Sequence, residues 1–84
     1  MIHYLIMCKS LTYAQRAARV LEHSGITVVI TRVQQHLAGE GCSYSVRVSE
    51  QRLADALRAL KSAGLGSNRV FLQQADGEIR EVAR

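Results

Sequence analysis

Ile26-Thr27-Val28-Val29-Ile30-Thr31-Arg32-Val33 is β-branched at almost every position, and after Gln34 to Gly41 the chain resumes as Cys42-Ser43-Tyr44-Ser45-Val46-Arg47-Val48. The first stretch reads as a strand, because β-branched side chains suit a pleated, half-buried surface. The second alternates cleanly. Tyr44, Val46 and Val48 face one way; Ser43, Ser45 and Arg47 face the other. A period of two marks a strand with one dry face and one wet face. Gly39 and Gly41 make the stretch between them a loop.

Outward from this pair the chain repeats itself. Upstream, residues 2–8 are apolar and aromatic-rich and read as a first strand, buried on both sides. Ser10 or Thr12 can then cap a helix, and Thr12 with Gln15 makes a capping box. Ala14, Ala17, Ala18 and Leu21 form the i, i+3, i+4, i+7 stripe of an amphipathic helix. Gly25 closes it. Downstream, Ser49 opens a second helix whose stripe is Leu53, Ala56, Leu57 and Leu60, ended by Gly64. Val70-Phe71-Leu72 begin a fourth strand. Asp76-Gly77 is a hairpin signal, so residues 78–82 return as a short fifth strand or stay a frayed tail.

The order β-α-β-β-α-β points to an α+β, ferredoxin-like sandwich. Its antiparallel sheet carries both helices on one face and leaves the other open. At 84 residues the chain is one domain, with a core over about 2–74 and a hairpin extension or tail over 75–84. A chain this short buries only about 63% of its extended surface, so its single core is sensitive to single changes.

Apolar residues are 48% and charged residues 21%, which excludes a disordered chain. No apolar run approaches the roughly 20 residues a membrane helix needs, so no membrane role is expected. The net charge of +4 permits an anionic partner without requiring one, since the eleven basic residues are scattered. Residues 1–8 lack the cationic region and length of a signal peptide. Two cysteines, Cys8 and Cys42, are fewer than a small secreted scaffold carries. A cytoplasmic protein with reduced thiols is therefore expected.

Several chemistries lack their residues. His3, His23, His36 and the two cysteines show no metal-ligand spacing, so no metal or other cofactor is assigned. No pair of acids suits glycosidase-type acid–base work. Gly39-Glu40-Gly41 leads into a strand, not into the helix that a phosphate loop requires. The RNA-recognition module shares this topology but stacks bases on exposed aromatics. Here the third strand offers only Tyr44, on the dry side. Nucleic acid is kept only as a weak alternative.

The thiols remain. With strands one and three taken as parallel neighbours, Cys8 at the end of one and Cys42 at the start of the other lie too far apart to bridge. Cys42 has the better setting for reactivity. Small neighbours leave its sulfur accessible, and successive glycine-loop N–H groups favour an anion. Glu40 opposes this; Arg32, His36 or Arg47 counters it, depending on the loop. Cys8 sits beside Lys9 before a helix, but on an apolar strand, where a structural role is expected.

Gly41-Cys42-Ser43-Tyr44-Ser45-Val46-Arg47, with Lys9-Ser10 entering the first helix and Ser24-Gly25-Ile26 leaving it, resembles the selenium/sulfur carrier protein-like family of small bacterial proteins. The resemblance covers about residues 3–74. The family's mark is a Cys followed by a small residue, alternating apolar positions, and an Arg five residues on, which Cys42 and Arg47 match. Ser43 stands where members usually have Gly, and Cys8 has no counterpart. The resemblance implies a thiol-based sulfur or selenium carrier, or a sulfurtransferase-like accessory protein rather than a stand-alone enzyme. Cys42 would accept the chalcogen, with Gly41, Ser43 and Arg47 as binding neighbours. A cysteine desulfurase-like donor and an acceptor protein would be its partners. The competing expectation is a regulatory or interaction module that forms a homodimer through its sheet.

Overall fold

The computed structural model describes residues 2–32, 44–66 and 69–82. Its elements run β1 (His3–Cys8), α1 (Leu11–His23), β2 (Val29–Arg32), β3 (Tyr44–Ser49), a 3-10 turn (Glu50–Arg52), α2 (Leu53–Ser62), β4 (Val70–Gln73) and β5 (Ile79–Val82). The fold is α+β. Among the described residues the strands form one five-stranded sheet in the order β2-β3-β1-β4-β5. Every adjacent pair is antiparallel.

Alternation along the strands sorts the side chains onto two faces. Ile6, Cys8, Val46, Val48 and Val70 meet Ala14, Ala17 and Leu21 of α1 and Ala56 and Leu60 of α2 in the main core. The alanine-rich stripe lets α1 lie close to the sheet. Leu5, Met7 and Phe71 form a separate small cluster on the opposite face, with Ile79 packed against it. Leu5 and Met7, each 3% exposed, bear out β1 as a strand buried on both sides, whereas Ser45, expected on a wet face, is fully buried.

Both helices end by the same device. Gly25 (φ +80°) and Gly64 (φ +78°) take the left-handed conformation that only glycine adopts cheaply. One residue later, the Ile26 N–H donates to Leu21 O at 2.9 Å and the Leu65 N–H to Leu60 O at 2.8 Å. Ile26 and Leu65 are thereby turned into the core. Strand β2 starts only at Val29, three residues later than its β-branched run suggests, because Ile26 is consumed by this cap. The Tyr13 hydroxyl donates to Leu65 O at 2.9 Å and ties α1 to the end of α2.

Of the two caps expected for α1, Ser10 and Thr12, Ser10 takes the role, its hydroxyl accepting from the Tyr13 N–H at 3.2 Å. Ser49 precedes the 3-10 turn without a side-chain capping bond, and α2 begins behind it at Leu53. Residues 79–82 do form a strand. The Gly77 N–H donates to Gln74 O, and the Asp76 carboxylate accepts from the Glu78 N–H, so Ala75 and Asp76 stand at the centre of the turn and Gly77 follows.

Strands β1 and β3 are antiparallel, which corrects the parallel arrangement used to separate the cysteines. The crossover through α1 sets β2 running with β1, and β3 then reverses against β2. Cys8 therefore lies opposite Tyr44, two residues from Cys42 in sequence, and the argument for their separation falls.

Candidate functional site

The proposed acceptor Cys42 and its neighbours Gly41 and Ser43 lie outside the described residues. The structure speaks to the two ends of the strand that follows them. At the near end, Cys8 closes β1 opposite Tyr44. Its side chain is 1% exposed, and its Sγ lies 3.5 Å from Ile6 O. A thiol so enclosed by Ala14, Ala17 and strand side chains cannot be reached by a partner protein without local opening. This is the structural role expected of an apolar-strand cysteine. Its neighbour Lys9 places Nζ 5.8 Å from the Tyr13 ring centroid.

Tyr44 packs against the main core with Val46 and Val48, on the dry side as expected. A ring held there is no platform for a base, so a stacking nucleic-acid interface finds no support on β3. On the other face, the Ser45 and Thr31 hydroxyls are 2.6 Å apart. That bond satisfies Ser45 where water cannot reach it.

Arg47 sits at the far end, half-buried, opposite Leu5 of β1 and Val29 of β2. It lines a cleft of about 360 Å³ on the face away from the helices. Gly25 and Val29 are its apolar lining, and His3, Thr27, Ser49 and Arg52 line it with Arg47. The register explains the grouping: His3 pairs with Ser49, Val29 with Arg47, and Thr27 lies two residues before Val29 on the same face. Sequence reading singled out Arg47 alone. It missed His3, Thr27 and Ser49 because only long-range strand pairing brings them together. Arg52 arrives from the 3-10 turn, its Nη1 3.3 Å from Asp55.

Two further features complete the polar inventory. On the β4–β5 side, Arg69 grips Glu81 with two hydrogen bonds of 2.9 Å and lies 5.2 Å from the Phe71 ring centroid. The guanidinium's hydrogen bonds hold the exposed Glu81 carboxyl below its ordinary range. Among the described residues, no three His, Cys, Asp or Glu side chains cluster as a metal site, and no helix is long and apolar enough to cross a membrane.

Among the described residues, then, the chain is an antiparallel α+β fold with Cys8 sealed in its core. A family model described as "Putative Se/S carrier protein-like" matches residues 3–71, and the chain belongs to that family. A search of curated proteins gives no match.

Proposed function

We propose that the protein is a thiol-based sulfur or selenium carrier, or a sulfurtransferase-like accessory protein, with Cys42 as the acceptor. The family match across residues 3–71, which spans Cys42, carries this reading. Burial of Cys8 supports it by removing the competing thiol from the surface. The β-α-β-β-α-β succession is read as a ferredoxin-like sandwich with an added edge strand, and its setting as cytoplasmic.

The chemistry needs no acid–base pair. The Cys42 thiolate attacks the outer sulfur of a persulfide on a cysteine desulfurase-like donor. The donor's S–S bond breaks, its electron pair leaves with the donor thiolate, and a new S–S bond stands on Cys42. No net oxidation or reduction occurs. The acceptor protein reverses the step. Gly41 and Ser43 are small flanking residues that keep the sulfur accessible. Arg47, five positions on, supplies cationic contact for an acidic group of a partner or for an anion.

Incubation with a desulfurase and cysteine, or selenocysteine, followed by intact mass, tests the proposal. A gain of one sulfur or selenium atom is expected. No gain with either donor would leave the carrier reading without a reaction. A second reading, an interaction module that dimerises through the sheet, is favoured by one observation: Val29 on edge strand β2 is 46% exposed. A concentration-dependent dimer in light scattering that Val29→Lys abolishes would support it.

A further inference from the structure

The cleft around Arg47 takes no part in the sulfur-transfer step itself, and beyond the cationic contact already given to Arg47 its lining has a chemistry of its own. Its described lining carries two arginines, a histidine, a serine and a threonine, and among the described residues no acid lines it. Arg47 is half-buried, and no hydrogen bond or ion pair joins its side chain to any described residue. A guanidinium partly withdrawn from water, with no partner among the described residues, is poised for a bidentate acceptor. Arg52 spends part of its charge on Asp55, but both side chains are more than two-fifths exposed, so the pair is weak and readily rearranged. Thr27 and Ser49 stand on the same face at the same end of the sheet as His3. They add two hydroxyl-bearing residues to the cleft lining.

We propose that this cleft binds a phosphate-type oxyanion, as the free ion or as the end group of a small ester. Arg47 holds two of its oxygens; Arg52, His3 and the two hydroxyls share the rest. The volume of about 360 Å³ exceeds what a bare tetrahedral ion fills. The apolar side formed by Val29 and Gly25 leaves room for the body of an ester. The site is assembled from described residues on β1, β3, the β2 approach and the 3-10 turn. It shares only Arg47 with the thiol reading.

The test is a titration of uniformly ¹⁵N-labelled protein with inorganic phosphate and with phenyl phosphate, followed by amide chemical shifts. Saturable shifts confined to residue 3, residues 25–29 and residues 47–52 are expected. Arg47→Gln should weaken binding at least about tenfold, the cost of a charge-assisted hydrogen bond pair. Arg47→Lys should recover only part, since an ammonium lacks the planar fork. Arg19→Gln, on the exposed face of α1, should bind as the parent does. Tighter binding of phenyl phosphate identifies an ester as the ligand type; equal binding identifies the free ion. Shifts that never saturate and scatter over all basic side chains would overturn the proposal. So would a folded Arg47→Gln protein, checked by circular dichroism, that binds within about twofold of the parent. If Arg47→Gln does not fold, Arg52→Gln and the parent's shift map carry the test. The readout involves no sulfur transfer, so its failure leaves the carrier reading untouched.

Discussion

The two faces of the sheet are built on different principles. Toward the helices, every strand contributes to a continuous apolar layer sealed by Ala14, Ala17, Leu21, Ala56 and Leu60. Away from them, a small patch of Leu5, Met7 and Phe71 is set among hydrogen-bonded and charged groups: the Thr31–Ser45 pair, the Arg69–Glu81 pair and the Arg47 cleft. The first face makes stability from burial, which is non-directional and tolerant of detail. The second makes specificity from placed polar groups, each needing its partner. Cys8 belongs to the helix-side layer and serves there as a small apolar side chain.

This contrast predicts where substitutions hurt. The largest loss should come from Leu21→Ala, which empties a fully buried site between α1 and the sheet. It should cost about 2–5 kcal/mol in urea unfolding. Leu5→Ala, in the smaller cluster on the other face, should cost less than Leu21→Ala. Equal or inverted losses would mean that the opposite face is a second full core, and the comparison would break.

A smaller effect is expected at the polar pair. Ser45→Ala strands the part-buried Thr31 hydroxyl and should cost about 1–2 kcal/mol. Adding Thr31→Val removes both partners and should recover much of that loss. A double variant as unstable as the sum of the singles would show that the two hydroxyls act independently.

The smallest effect belongs to Glu81. Arg69 lowers its carboxyl in the folded protein, mainly by hydrogen bonding, while its own slight desolvation opposes the shift. A group lowered on folding stabilises the fold above its unfolded range, and that contribution fades as pH falls through the lowered value. The stability difference between the parent and Glu81→Gln should therefore be present at neutral pH and shrink in acid. The pair is exposed, so high salt should shrink it too. A difference that grows in acid would contradict the assignment.

What could be read from the chain follows the same division. Both helix stripes, both terminal glycines and the alternation of β3 were legible, because each is a local consequence of periodicity. The Ser10 cap was open to two readings, since Ser and Thr both suit the position by residue type. The late start of β2 was hidden because Ile26 serves the helix cap before any strand begins. The direction of β1 against β3 depends on following the crossover and the hairpin together. The Arg47 cleft was beyond reach, because His3 and Ser49 are neighbours only through strand register. That register also revealed that the polar side of β3 includes a buried serine.

The central claim is that Cys42, and not Cys8, is the atom that carries the cargo. Peptide mapping after loading from a desulfurase and cysteine tests it most directly, with the persulfide trapped by an alkylating agent. The added sulfur should map to Cys42, persist in Cys8→Ser and vanish in Cys42→Ser. Sulfur found on Cys8, or retained in Cys42→Ser, would contradict the account.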